Sequence, residues 1–128
     1  METLIKFFVL LIFLIINNYL FAAPVKGYLV ELQILDKISA RISNINILVN
    51  EKVKYGSLEI EVFDCQKRSP EEIPEDFVLL RILDEVSPNK FERVFQGWML
   101  SSSPPVAPFE HPTYDVWVKD CKIDTDSK

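Results

Sequence analysis

The stretch YLVELQILDKISARISNINILVNE, residues 28–51, alternates apolar and polar side chains in two runs separated by a short break. Every second residue is apolar from Val30 to Ile34 in the first run and from Ile45 to Val49 in the second. Alternation with a period of two residues is typical of a half-buried β-strand. The stretch therefore predicts two strands joined by a turn at Asp36-Lys37, followed by a second turn at Asn50-Glu51.

Further segments with strand-like apolar patterns are SLEIEVFDC (57–65), FVLLRIL (77–83), FERVFQGWML (91–100) and YDVWVKDC (114–121). We expect Gly97 to weaken or bulge the third of these. The intervening QKRSPEEIPED (66–76) contains Pro70 and Pro74, which favour a loop with at most a short helical turn. Six or seven short strands predict an all-β fold, either a small antiparallel sandwich or a barrel.

The N-terminal segment METLIKFFVLLIFLIINNYLFAAPVKG (1–27) has the layout of a secretory signal peptide. Lys6 precedes an apolar run over residues 7–16, and small residues follow at Ala22 and Ala23. The run is too short to cross a bilayer as a helix, which needs roughly 20 residues. We expect cleavage after Ala22, and the alternative is an uncleaved anchor.

Removal of the predicted signal peptide, residues 1–22, leaves a single β-domain at 23–128. We expect its core at 28–121 and a frayed polar tail at 122–128. The formal net charge of the chain is −5, which argues against a nucleic-acid partner. The chain has no basic run of the kind that docks on an anionic membrane. We also expect no stable membrane span once the signal is cleaved.

Two cysteines, Cys65 and Cys121, make up the whole cysteine content of the chain. An even number of cysteines in an exported protein favours a disulfide, and two cysteines allow one pairing. The alternative, a redox pair or two metal ligands, lacks the C-x-x-C spacing or the ligand cluster that such sites use. We therefore predict a structural disulfide.

His111 is the only histidine, so a search for catalytic residues starts there. The serines at 101–103 and Asp115 lie near it in the chain and could complete a Ser/His/Asp group, but no G-x-S-x-G motif is present. The alternative is that the serines are loop residues and that His111 orders a turn through hydrogen bonds. The pattern favours this alternative, and it predicts neither a metal site nor a cofactor.

The segment 95–121 contains both tryptophans and four of the eight prolines, so it combines aromatic surface with a stiff backbone. Facing outward, Trp98 and Trp117 would form a platform for a sugar ring or an extended peptide. Facing inward, each would bury on the order of 200 Å² in the core, which is the commoner arrangement. The stretch SSSPPVAPFEHP (101–112) is either a rigid recognition loop or a stiff corner between two sheets.

FERVFQGWMLSSSPPVAPFEHPTYDVWVKDC (91–121) resembles the hallmark of a bacterial exported family, the domain of unknown function number 2155. That hallmark is F-x-GWM-x-x-S-P followed by EHP-x-YDVW and a cysteine, and this chain has one additional serine before Pro104. The segments ILDKISARI (34–42) and GSLEIEVFDCQKRSPEEIPED (56–76) are also similar to the family pattern. The resemblance implies an exported protein of the Gram-negative envelope with both cysteines in their expected places, and it implies no activity.

These features predict a non-enzymatic periplasmic domain that binds an envelope component, either a protein or a cell-wall polymer. The reason is the scarcity of catalytic residues beside an aromatic, proline-stiffened C-terminal third. The expected contacts are Trp98, Ser101, Ser102, Phe109, His111, Tyr114 and Trp117. The alternative is a small hydrolase that acts on cell-wall material through His111, and a third interpretation is a purely structural or inhibitory protein.

Overall fold

The computed structural model of the chain describes residues 1–16, 22–102, 109 and 111–125. Within these residues, one helix precedes seven strands. In chain order they are α1 (Glu2–Ile15), β1 (Val25–Asp36), β2 (Arg41–Leu48), β3 (Lys52–Tyr55), β4 (Leu58–Lys67), β5 (Asp76–Ser87), β6 (Lys90–Leu100) and β7 (Tyr114–Ile123).

β1 takes part in both sheets of the fold. Over most of its length it pairs with β2 on one side and with β7 on the other, which forms the sheet β2–β1–β7. Its first residues, Val25 and Lys26, pair with Lys67 and Gln66 of β4, which belongs to the second sheet, β3–β4–β5–β6. All of these pairings are antiparallel, so the predicted all-β antiparallel fold of six to seven strands is confirmed.

The core lies between the two sheets and is built from the inward positions of the predicted alternation. Val30, Leu32 and Ile34 of β1 are fully buried, whereas Glu31 and Gln33 between them are partly exposed. The other buried apolar residues are Ile47, Leu58, Ile60, Val62, Cys65, Val78, Leu80, Ile82, Phe95, Met99, Phe109, Val116, Val118 and Cys121. Removal of this apolar surface from water is the main force that holds the two sheets together.

The strand β3, Lys52–Tyr55, is absent from the sequence-based prediction. It is four residues long, and its exposed lysines mask an alternation in which only Val53 and Tyr55 are half-buried. The two-residue turn at Gly56-Ser57, where Gly56 has a φ of +56°, folds β3 back against β4. The tight turn therefore places this segment beside β4 as a strand, although its own sequence has little apolar alternation.

The bulge expected at Gly97 lies elsewhere in β6, and Gly97 itself has an unusual backbone conformation, with a φ of +151°. Gly97 pairs with Leu80 in continuous register, and the register shift in β6 falls at Val94. Because neighbouring residues of a strand alternate faces, one extra residue at Val94 lets Arg93 face outward while Phe95 still faces the core. The bulge thus keeps a guanidinium out of the apolar interior.

Both ends of the β-domain extend beyond the predicted core at 28–121. β1 begins at Val25 because its first residues pair with β4, and β7 continues to Ile123, which pairs with Gly27.

The apolar N-terminal run forms α1, whose residues are all exposed. Across the described residues, no helix combines the length and the apolar character that a membrane span requires.

The predicted disulfide between Cys65 and Cys121 is present and links β4 of one sheet to β7 of the other. The two Cα atoms are 6.0 Å apart, and both side chains are fully buried. Gly27 of β1 passes so close to the bridge that a Cβ atom there would overlap both sulfurs. A glycine at position 27 therefore allows β1 to run past the disulfide.

We predict that replacing Cys65 and Cys121 together by alanine lowers the free energy of unfolding by about 4 kcal/mol, because the unfolded chain is no longer cross-linked. Urea unfolding of the oxidised protein and of the double variant measures the difference. The reduced wild type is the control and should match the variant. Free thiols in the native wild type, or equal unfolding midpoints with and without the bridge, would contradict this prediction.

Candidate functional site

Trp98 and Trp117 both face away from the core, on different sheets. Trp98 lies opposite Leu79 in the β5–β6 pair, and Trp117 lies opposite Gln33 in the β1–β7 pair. Trp98 is 43% exposed and Trp117 is 38% exposed. Of the two orientations considered for the tryptophans, the structure shows the outward one, because each indole occupies an outward position of its strand. Since the two sheets pack through their inner faces, the indoles lie on opposite outer faces and form no common platform.

The surface around Trp98, which we call the Trp98 face, is the outer face of β4, β5 and β6. Its half-buried apolar residues are Phe63, Phe77, Leu79, Leu83 and Leu100. Two guanidinium groups cover aromatic rings here: Arg81 Cζ lies 5.5 Å from the ring centroid of Phe63, and Arg68 Cζ lies 5.4 Å from that of Phe77. Cation–π contacts of this kind hold the arginines against the apolar surface.

A shallow groove lies beside Trp98 on this face. Pro24, Gln66, Phe77 and Trp98 line it, and its volume is about 360 Å³. Three of the four lining side chains are apolar, so the groove suits an apolar side chain of a binding partner.

The surface around Trp117, which we call the Trp117 face, is the outer face of β2–β1–β7, where amides share the row of the indole and the exposed Ile42 and Leu48 lie toward the two ends of β2. Gln33 lies in register between Trp117 on β7 and Asn44 on β2. Gln33 Nε2 donates a hydrogen bond to Asn44 Oδ1 at 3.3 Å. The two tryptophans therefore sit in different chemical surroundings.

His111 is only 7% exposed, and both of its ring nitrogens make hydrogen bonds. Nδ1 accepts from the main-chain N–H of Thr113 at 3.1 Å and from that of Tyr114 at 3.2 Å. Because Nδ1 is the acceptor, Nε2 carries the proton and donates to Asp84 Oδ2 at 2.9 Å. His111 thus orders the turn before β7, in agreement with one of the two interpretations of the sequence.

The aromatic neighbours of His111 and the nearby Asp115 are also engaged in internal contacts. The ring centroid of His111 lies 6.1 Å from that of Phe109 and 5.4 Å from that of Tyr114, both in stacked orientations. Asp115 is ion-paired with Lys37 at 3.0 Å, and Lys37 Nζ also donates to the main-chain carbonyl of His111 at 2.8 Å. These contacts connect the start of β7 to the end of β1.

Ser101 and Ser102 bind the carboxylate of Glu75. Ser101 Oγ donates to Glu75 Oε1 at 3.0 Å, and the main-chain N–H of Ser102 donates to the same oxygen at 2.9 Å. Ser102 Oγ donates to Glu75 Oε2. Burial acts to raise the pKa of Glu75, but the hydrogen bonds from Ser102 and Ser101 outweigh it and lower that pKa. The two serines therefore fasten the end of β6 to the loop before β5.

Lys67 and Asp76 line a cleft of about 260 Å³ beside this loop. Lys67 Nζ lies 2.7 Å from Asp120 Oδ1 and 3.3 Å from Asp76 Oδ1. Burial raises the pKa of Asp76. Burial acts to lower the pKa of Lys67, but its hydrogen bonds and ion pairs with Asp120 and Asp76 outweigh this and raise it. One ammonium group thus joins β4, β5 and β7.

The structure divides the seven predicted contacts into separate groups. Phe109, His111 and Tyr114 form one internal cluster, and Ser101 and Ser102 lie together at Glu75. The two tryptophans stand apart from these groups and from each other. Residues 103–108 and Glu110 of the proline-rich stretch lie outside the described residues.

Several residues that accompany the tryptophans are missing from the sequence-based prediction. Gln33 and Asn44 occupy outward positions of predicted strands, and Phe77 begins the predicted strand at 77–83. Their outward orientation can be read from the alternation. Their positions beside Trp117 and Trp98 depend on strand pairing between distant segments, for which the sequence carries no local signal.

Together these features define a small, disulfide-bonded, antiparallel β-domain with two chemically different exposed faces. The chain belongs to the bacterial family described as "Uncharacterized protein conserved in bacteria (DUF2155)", whose model matches residues 30–121. This agrees with the family resemblance found in the sequence.

The chain is also similar to an uncharacterised protein of Rickettsia prowazekii (strain Madrid E), with 32% identity over 87 residues. The similar region covers 68% of this chain and 56% of the Rickettsia protein, so the chain spans little more than half the length of that relative. No solved structure matches the chain.

We predict that His111→Ala lowers the free energy of unfolding by about 3 kcal/mol at neutral pH, because it leaves two main-chain N–H groups and the Asp84 carboxylate without their partner. Urea unfolding monitored by tryptophan fluorescence measures the loss. A variant as stable as the wild type would contradict the structural role of His111.

The pH dependence of this penalty provides a control. Burial acts to raise the pKa of Asp84, but the hydrogen bonds from Ser57 and His111 lower it from its ordinary value of 3.8. A carboxyl group with a lowered folded-state pKa stabilises the fold above its unfolded pKa, and this stabilisation is lost as the pH falls through the folded-state pKa. The penalty of His111→Ala should therefore shrink below about pH 4. A penalty that is constant with pH would argue against the contact with Asp84.

We also predict that Lys67→Met costs about 1–2 kcal/mol of stability at pH 7, because Asp76 and Asp120 lose their shared cation. The folded-state pKa of Asp76 is raised above its ordinary value of 3.8. The free energy of unfolding therefore falls as the pH rises from the unfolded-state pKa through the folded-state pKa of this carboxyl group. Without Lys67 this loss becomes larger. The stability difference from the wild type should therefore increase from pH 3 to pH 7.

The matched control for this prediction is Lys119→Met. Lys119 is an exposed lysine of β7, next to Asp120 in the chain. The Lys119 variant removes the same charge from the protein and should keep wild-type stability at both pH values. Equal effects of the two substitutions would attribute the result to net charge and would contradict the role of the Lys67 cluster.

Proposed function

We propose that this protein is a non-enzymatic periplasmic domain that binds an envelope protein through the Trp98 face. The observation that carries the proposal is the 43% exposure of Trp98 on a sheet face that also holds the half-buried Phe77 and Leu79. Tryptophan and arginine are the residues that most often dominate the binding energy of protein interfaces. The Trp98 face presents both types together.

The Trp98 face is also held rigidly, which favours binding. Trp98 pairs with Leu79 in the continuous antiparallel register of β6 and β5, so the backbone needs no ordering when a partner docks. The groove lined by Pro24, Gln66, Phe77 and Trp98 offers a pocket for one apolar anchor. A protein partner supplies such an anchor, and the surrounding leucines match the apolar centre of a protein interface.

Export to the periplasm is supported by two independent features. The segment 1–22 has the charge and hydropathy pattern of a secretory signal. The disulfide between Cys65 and Cys121 is of a kind that persists in oxidising compartments such as the periplasm and is rare in the cytosol.

The surroundings of His111 do not favour the alternative of a hydrolase. A general base needs a ring nitrogen free to take a proton from a nucleophile. Nδ1 of His111 already accepts two main-chain hydrogen bonds, and Nε2–H is directed at Asp84. Of the serines at 101–103 that would supply the nucleophile, Ser101 and Ser102 hydrogen-bond to Glu75, and Ser103 lies outside the described residues.

The proposal predicts protein contacts at one outer face of the domain. Gln96 is exposed on the Trp98 face, opposite Arg81, and Asn46 is exposed on the other sheet, opposite Glu31. A photo-cross-linking amino acid in place of Gln96, introduced in living cells, should give a discrete protein adduct. The same amino acid in place of Asn46 should give none.

Trp98→Ala should abolish the adduct at position 96, because loss of a central tryptophan typically costs about 2 kcal/mol or more of binding energy. Trp117→Ala is the matched control: it removes the same side chain, at similar exposure, from the opposite face, and it should leave the adduct intact. Absence of any adduct at position 96, equal loss in both variants, or an adduct found only in the cytosolic fraction would contradict the proposal. Thermal unfolding of both variants establishes that they are folded.

A further inference from the structure

We propose that the Trp117 face is a second binding site, which takes a neutral polysaccharide. The site consists of Trp117 on β7, Gln33 and Glu31 on β1, and Asn44 and Asn46 on β2. All five residues occupy outward positions of the sheet β2–β1–β7. The inference goes beyond the proposed protein partner, because it uses the opposite face and none of the same residues.

The strand register places an aromatic ring and two amides in one row. Trp117 is directly opposite Gln33, and Gln33 is directly opposite Asn44. Neighbouring strands lie about 4.8 Å apart, so the row from Trp117 to Asn44 extends roughly 10 Å. This is the scale of two linked sugar rings. A second row, with Glu31 opposite Asn46, lies next to it toward the start of β1.

Hydrogen bonds between the side chains hold the amides in place. Gln33 Nε2 donates to Asn44 Oδ1 at 3.3 Å, and Asn44 Nδ2 donates to Glu31 Oε1 at 3.2 Å. Each bond uses one N–H of an amide that has two. The second N–H of each amide and the second carboxylate oxygen of Glu31 can therefore bond to a ligand at little entropic cost.

A sugar polymer has the chemistry that this arrangement complements. The C–H groups of a pyranose ring pack on an indole in the way that other apolar groups do, and the ring hydroxyls both donate and accept hydrogen bonds. Amides and a carboxylate beside a tryptophan provide both types of partner. Binding sites of this kind combine an apolar contact with a few well-placed polar groups.

The charge of the Trp117 face favours a neutral polymer over an anionic one. Glu31 contributes a negative charge, and its carboxylate is free to accept a hydroxyl but would repel a phosphate or another carboxylate. Asp115 and Asp120 at the margins are already paired with Lys37 and Lys67. The exposed Lys119 of β7, two residues after Trp117, offsets the charge of Glu31, so this face has no excess of positive charge that would select an anionic polymer.

A protein partner is the competing occupant of this face. Protein interfaces place their aromatic anchors among apolar neighbours that exclude water, as on the Trp98 face. In the row of Trp117, the other two residues are the amides Gln33 and Asn44, and the apolar pair Leu35 and Ile42 lies one row away. The composition of the row therefore favours a ligand rich in hydroxyl groups.

Isothermal titration with N-acetylglucosamine tetramer and with cellotetraose, and sedimentation with insoluble chitin, all neutral glycans, test the inference on the full chain. We expect binding to at least one of the three. Trp117→Ala should weaken it at least about tenfold, as expected for loss of an aromatic anchor. Asn44→Ala should weaken it by roughly threefold to tenfold, the effect of one or two hydrogen bonds.

Trp98→Ala is the matched control and should leave glycan binding unchanged. The Trp98 variant should lose the protein adduct at position 96 and keep glycan binding, and the Trp117 variant should do the reverse. The pair of variants therefore tests the two faces separately. No binding of the wild type to any of the three glycans would overturn the inference. So would equal weakening by Trp98→Ala and Trp117→Ala. A protein adduct at position 46 that Trp117→Ala removes would assign the face to a protein partner and would also overturn it.

Discussion

Every other part of this domain depends on the arrangement of β1, which is hydrogen-bonded to three other strands. Its first residues pair with β4, and the rest of the strand lies between β2 and β7. The disulfide between Cys65 and Cys121 joins β4 to β7 beside Gly27, where the absence of a side chain lets β1 pass the sulfurs. A shared strand and a covalent bond therefore hold the two sheets at one corner, and the apolar core fills the space between them.

This arrangement leaves two broad outer faces that consist of strand residues. The backbone of paired strands keeps its position without a ligand, so a partner that binds there loses little binding energy to ordering of the backbone. The two faces carry one tryptophan each but differ in their surroundings, with leucines and phenylalanines around Trp98 and amides around Trp117. Their chemistry supports two kinds of partner, and a domain that contacts both would connect an envelope protein to a polysaccharide.

The residues that resemble catalytic groups in the sequence have internal roles in the structure. Buried polar groups need hydrogen-bond partners, and each of these residues has them: His111 at Asp84, and Ser101 and Ser102 at Glu75. The ion pairs of Lys67 work in the same way between β4, β5 and β7. Polar contacts therefore fasten the loops and strand ends around the apolar core, and the exposed chemistry of the domain is concentrated in the two tryptophan faces.

The sequence alone determined the strands, their inward faces, the disulfide and the family, because alternation is a local pattern and two cysteines allow a single pairing. It misplaced the bulge of β6 and missed β3, since a bulge and a short hairpin depend on the strand opposite. It left open whether the tryptophans face the core or the solvent, and it considered the outward ones as one platform. Only the tertiary structure separated Trp98 from Trp117 and paired His111 with Asp84, 27 residues away. The physical reason is that strand pairing joins segments that are distant in the sequence, and no local pattern in the sequence indicates which strands pair with each other.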